Sequence, residues 1–130
     1  MYVKLHRYHW FVQGRHFFQL HEIFEDMYTI FAQNNDEIAE RILMINGKPL
    51  ATMAKYLDES TLEEATADDK EDEMIAQLFN DYEQMVQEIV DEGIPLAEEQ
   101  NDEPTLDMLV SIQATLEKYM WMLRAYRAYE

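Results

Sequence analysis

One uninterrupted segment of the sequence decides most of what the chain can become. From His16 to Asn46 there is neither glycine nor proline, so nothing breaks or bends a helix there. Phe17, Leu20, Phe24, Met27, Phe31 and Ile38 recur in steps of 3, 4, 3, 4 and 7, the heptad-like stripe of a helix that buries one face. The phase of that stripe survives across Asn34–Asn35, the only plausible break, and predicts one continuous helix. A turn at the two asparagines stays open as the alternative. Gly47 is the expected C-terminal stop, with Pro49 beyond it.

A second series occupies another face of the same helix: His21, Glu25, Tyr28, Ala32, Asp36, Ala39, Glu40 and Leu43. A solvated face normally mixes Lys with Glu, and this one has no lysine. The helix is therefore expected to bury one face in its own bundle and another against something else. HxxxE at 21–25 and DxxxE at 36–40 are common i, i+4 arrangements, and each alone is more often a surface pair than a site.

Their relative placement is more telling. At about 1.5 Å per residue, His21 and Asp36 lie roughly 22 Å apart along a straight helix. Donors on one metal ion sit about 2 Å from it, so these residues cannot share an ion within one helix. They can if an identical helix packs antiparallel. His21 and Glu40 are equidistant from a point between residues 30 and 31, as are Glu25 and Asp36. A two-fold axis there sets each residue opposite its counterpart, and the small Ala32 beside it permits close approach. The spacing predicts an intersubunit site; a turn at Asn34–Asn35 would make the site intramolecular instead.

His9 precedes His21 by twelve residues across Gly14, so the first two helices can present both imidazoles to one place. Two imidazoles with carboxylates and no sulfur suit iron, manganese or zinc. Open coordination positions favour Fe(II) meeting an oxidant, whereas a closed tetrahedral set favours zinc.

The rest of the chain also reads as helix. Met1–Val12 is apolar at mixed spacing and ends before Gly14. Leu50–Leu57 is expected to form a short helix, in a connection that continues as the acidic, solvated loop Glu63–Glu73. A third main helix begins near Lys70, with Met74, Leu78, Tyr82, Met85 and Ile89 as its stripe, and Gly93 and Pro95 kink or end it. Asp102 caps the last helix, with Pro104 in its first turn and Leu109, Ile112, Leu116, Met120 and Leu123 as its apolar face. Four main helices imply an all-α bundle in one domain, with no internal repeat.

Composition removes several function classes. A formal charge of −17 opposes nucleic acid as a direct partner, because phosphate binding depends on clustered Lys and Arg. The absence of cysteine excludes disulfides, thiolate metal sites and cysteine nucleophiles, and fits a reducing cytoplasm. No apolar run approaches the roughly 18 residues of a membrane span. Trp10 and Trp121 are expected to be core or interface aromatics, and His6 and His16 surface or packing residues. Glu98, Glu99, Asp102, Glu103 and Asp107 flank a helix start, where carboxylates are favourable in any case; a cation path there requires several subunits.

HWFVQGRHFFQLHEIFEDMY followed by DEIAERI resembles the signature of the Dps family, the mini-ferritins, and LEKYMWMLRAY resembles that family's last helix. The likeness covers nearly the whole chain. It implies a ferritin-like four-helix bundle with a short extra helix between the second and third helices, assembled as a hollow dodecamer. It implies an enzyme, a ferroxidase that oxidises Fe(II), usually with hydrogen peroxide, at two-fold interfaces and stores ferric mineral inside. On this resemblance His9 and His21 are ligands from one subunit and Asp36 and Glu40 from its neighbour. Glu25 stands where many members have an aspartate ligand. Trp10 takes the position of a tryptophan adjoining the site, and Glu98, Glu103 and Asp107 match residues lining three-fold pores that admit iron. The family's first helix is usually longer, and some members precede it with a lysine-rich arm that binds DNA. Residues 1–130 are thus expected to form a single Dps-type domain without the N-terminal part of that helix. Twelve such chains would carry roughly −200, which opposes direct DNA binding. The alternatives are a DNA-condensing cage with secondary iron chemistry, and a structural helical oligomer whose site holds zinc or nothing.

Overall fold

The computed structural model describes residues 1–66 and 70–128, and among them the regular structure is helical throughout. In chain order the elements are α1 (Tyr2–Phe11), α2 (Phe17–Met44), α3 (Met53–Glu59), α4 (Glu71–Glu88), a π-helical turn (Ile89–Gly93), α5 (Ile94–Glu99) and α6 (Glu103–Tyr126). They fall into two compact units, Met1–Glu71 and Asp72–Glu130.

In the first unit α1 packs on α2 across a short turn. Leu5 and Tyr8 from α1, and Val12 just after it, are fully or almost fully buried, as are Leu20, Phe24 and Met27 from α2, with Phe31 close behind. Tyr8 and Phe24 meet with ring centroids 6.2 Å apart. The expected stripe of α2 is therefore real, although its ends, Phe17 and Ile38, are only half-buried. The helix runs unbroken through Asn34–Asn35, which removes the alternative of a turn there.

Gly14 makes the α1–α2 turn possible. Its φ of 139° is a conformation that side chains rarely adopt, and a Cβ would stand 2.5 Å from a carboxylate oxygen of Glu71. That carboxylate closes the turn: Oε1 accepts from the His16 backbone N–H at 2.7 Å, and Oε2 lies 3.0 Å from His16 Nδ1. His16, expected to be a surface or packing residue, is thus one half of a clamp.

Helix α2 stops one residue earlier than glycine placement suggests. Asn46, not Gly47, takes the left-handed conformation (φ 68°). Its N–H bonds Leu43 O at 3.0 Å while the Gly47 N–H bonds Ile42 O at 2.8 Å, the paired closure of a Schellman motif. Thr52 caps α3 by accepting from the Lys55 N–H at 3.2 Å. This short helix sits two to three residues later than expected, and none of its residues is buried. Of the expected acidic loop Glu63–Glu73, residues 63–66 lack regular structure and residues 67–69 lie outside the described residues. Its last three residues instead open α4, where carboxylates are favoured by the helix dipole.

In the second unit Met74, Ile75, Leu78 and Tyr82 of α4 are buried, as are Ala97 of α5 and Ile112, Leu116 and Leu123 of α6. The helix does not end at Gly93 and Pro95. It widens into one π-helical turn, closed by Ile94 N–H to Ile89 O, and then continues as α5. Proline clashes with the carbonyl four residues back in an α-helix, and a wider turn relieves that clash. Gly93 lies against Leu109, which a Cβ would approach to 3.1 Å. Asn101 (φ 56°) ends α5 as Asn46 ends α2, with Asp102 N–H to Ala97 O at 2.9 Å. Asp102 then caps α6 as expected, accepting from the Thr105 N–H at 3.2 Å.

Candidate metal centre

The α1–α2 hairpin brings His9 and His21 face to face. Their rings stack with centroids 3.7 Å apart and planes 10° from parallel. Each Nδ1 bonds the other residue's backbone carbonyl: His9 Nδ1 to His21 O at 2.6 Å, His21 Nδ1 to His9 O at 2.7 Å. His9 stands in the last turn of α1, where carbonyls lack partners within the helix, so its O has an acceptor site to spare. A carbonyl can only accept, so each Nδ1 must carry its ring's proton. The neutral tautomer then leaves a lone pair on each Nε2, and a backbone partner on the other nitrogen fixes the ring as it does in metal-ligating histidines.

Glu25, one helical turn after His21, reaches the same place. Its Oε1 lies 3.9 Å from His9 Nε2, too far for a hydrogen bond but a span that two ligands at about 2.1 Å from a common ion can bridge at a wide angle. His9 is buried, His21 half-buried and Glu25 exposed. A donor set of two imidazoles and a carboxylate fits a borderline divalent cation such as Fe(II), and Zn(II) and Mn(II) fall within the same chemistry.

Asp36 and Glu40 do not join this cluster. They lie on the exposed part of α2, and because that helix is continuous Asp36 stands roughly 22 Å along the axis from His21. They do interact with each other. A hydrogen bond that the Glu40 carboxyl donates to Asp36, reinforced by the Asp36 charge, raises Glu40 above its ordinary range. Among the described residues no group of three or more His, Cys, Asp or Glu side chains is placed to hold a metal ion. The chain thus presents two partial donor sets, His9–His21–Glu25 and Asp36–Glu40.

An aromatic array that composition and spacing did not single out borders the first set. The Tyr28 hydroxyl donates to Glu25 Oε1 at 3.4 Å, and its ring stacks on His6 at 3.7 Å. His6 Nδ1 bonds Tyr2 O at 2.8 Å, and the His6 ring lies 5.4 Å from Trp10. Partial burial and then the negative Glu25 raise the Tyr28 phenol above its ordinary value. Tyr2, His6 and Trp10 recur every four residues and so share one face of α1, a signal present in the sequence. Trp10 is 65% exposed and Trp121 56%, so neither is a core aromatic of this chain. Glu98, Glu103 and Asp107 are all exposed, the first on α5 and the others in the first turns of α6.

The chain matches the family model described as "Ferritin: Ferritin-like domain" over residues 1–129. It is 47% identical to a Bacillus anthracis protein named "DNA protection during starvation protein 2", over 97% of this chain and 86% of that one. Among solved structures, a Dps protein from Bacillus brevis is 46% identical and superposes with a TM-score of 0.93, over 96% of this chain and 83% of that one. Dps from Listeria innocua, solved after soaking with zinc, is 36% identical with a TM-score of 0.91, over 96% of this chain and 84% of that one. The class is thus the ferritin-like helical bundle, four main helices with a short extra helix between the second and third. Within that class the chain belongs to the Dps family. No helix among the described residues is long and apolar enough to cross a membrane.

Proposed function

We propose that this chain is an iron-detoxifying ferroxidase whose sites are completed between two copies of itself. His9, His21 and Glu25 of one copy and Asp36 and Glu40 of an antiparallel neighbour would share Fe(II), with twelve chains forming a cage in the cytoplasm that stores the ferric product. One observation carries this reading. The reciprocal Nδ1–H bonds of His9 and His21 commit both rings to the tautomer whose Nε2 can ligate, while the complementary carboxylates lie far along an unbroken helix.

The chemistry follows from the donors. Two Fe(II) ions each give up one electron, and the O–O bond of hydrogen peroxide takes both and breaks to two hydroxides. The imidazoles hold the Fe(II) substrate, and the carboxylates favour the harder Fe(III) product. Oxidising iron with peroxide in one site consumes both partners of hydroxyl-radical formation, which would protect DNA without contact. A charge of −17 per chain opposes direct binding to a polyanion. Glu98, Glu103 and Asp107 would line the route by which Fe(II) enters. The test is anaerobic Fe(II) loading followed by peroxide. Asp36→Ala with Glu40→Ala should abolish the fast phase, and an unchanged rate would refute the site.

A further inference from the structure

Glu25 is the loose part of its donor set. Its side chain is 56% exposed and has a longer arm than an aspartate at the same position would have. The Tyr28 hydroxyl, three residues on along α2, lies 3.4 Å from Oε1, the same oxygen that faces His9 Nε2 at 3.9 Å. Tyr28 is itself held in place. The His6 ring lies against it at 3.7 Å and 19° from parallel, and His6 is fixed by its 2.8 Å bond to the Tyr2 carbonyl. A line of contacts therefore runs from the α1 backbone through His6 and Tyr28 to Glu25, and ends at the ligating edge of His9.

We propose that Tyr28 is a positioning residue: its hydroxyl holds the Glu25 carboxylate toward His9 Nε2, and His6 is the platform that keeps its ring there. The inference rests on the metal-site reading above and names what prepares that site for a divalent cation. A glutamate free in solvent must lose rotamer freedom when it ligates, and a tethered one has already lost much of it. The contact is long for an O–H···O bond, so the effect is modest, about 3- to 10-fold in affinity.

The experiment uses the assembled protein and Co(II) as probe, followed anaerobically by calorimetry and by the visible spectrum of the bound ion. Fe(II)–peroxide kinetics run in parallel. Tyr28→Phe should weaken Co(II) binding about 3- to 10-fold and raise KM for Fe(II) more than it lowers kcat, with melting temperature and assembly mass unchanged. His6→Ala should move both in the same direction by less. In a Glu25→Ala background Tyr28→Phe should add nothing, since its route to the metal is gone. Co(II) binding within about 1.5-fold of wild type in Tyr28→Phe, or an equal loss with and without Glu25, overturns the positioning role. The site reading fails separately, if His21→Ala binds Co(II) as wild type does.

Discussion

Two inactive variants of this chain should repair each other when they assemble together. One lacks the imidazoles (His9→Ala with His21→Ala); the other lacks the carboxylates (Asp36→Ala with Glu40→Ala). Within a chain the two donor sets are separated by roughly 22 Å of continuous helix, so neither variant alone builds a complete shell. In a two-fold dimer of one chain of each kind, one site receives both defects. The other receives the intact imidazoles of one chain and the intact carboxylates of its partner. Equal co-expression with random pairing makes about half the dimers mixed, so about one quarter of all sites are whole. Differently tagged variants purified through both tags, then given Fe(II) and peroxide, should show about one quarter of the wild-type initial rate, or more after enrichment for mixed assemblies. A second mixture sharpens the arithmetic. Wild type co-assembled with a variant lacking all four residues should retain about one quarter of its sites if they are shared, and about one half if each chain carries its own. Mixed assemblies that stay as inactive as their parents, together with one-half retention in the second mixture, would refute the shared site.

Three further outcomes follow from the same structure. Gly14→Ala forces a side chain into φ 139° against the Glu71 carboxylate and breaks its bonds to His16. It should cost about 2–4 kcal/mol and lower the melting temperature by roughly 7–15 °C, measured calorimetrically on assemblies of equal concentration. Asn46→Ala places an ordinary side chain in the left-handed position that ends α2, and should cost about 1 kcal/mol in denaturant titration, whereas Asn46→Gly should be neutral or slightly stabilising. Burial, and then the neighbouring Tyr119 and Asp81, push the Tyr82 phenol far above its ordinary 10.0. A group raised in the folded state binds its proton more tightly there, so its contribution is complete below pH 10 and lost as the pH rises beyond it. Melting temperature should fall above about pH 10 in the wild type and fall less steeply in Tyr82→Phe.

What was legible in the sequence was whatever a single element dictates. The stripe of α2 and the absence of glycine or proline within it are properties of one helix, and they fixed the distance along it between His21–Glu25 and Asp36–Glu40. The imidazole pair was legible as two histidines able to meet across Gly14, but the bonds that define their chemistry were not. Reciprocal Nδ1–H to carbonyl contacts depend on the register of α1 against α2, which no one-helix pattern encodes. The same limit explains the misplaced details. Glycine placement suggested Gly47 as the stop of α2, yet the left-handed residue is Asn46, because asparagine tolerates that conformation and the Schellman bonds then end the helix. Gly93 and Pro95 read as a kink or an end, and the chain answered with a π-helical turn that keeps the helix going past the proline. Glu71 looked like one more charge in an acidic run until the fold set it under the Gly14 turn. Tyr28 belongs with these cases: on its own helix it is an aromatic three residues after a glutamate, and only the neighbouring α1, through His6, turns that spacing into a tether. A side chain's role was readable where its partners lie on its own helix, and hidden where they come from another element.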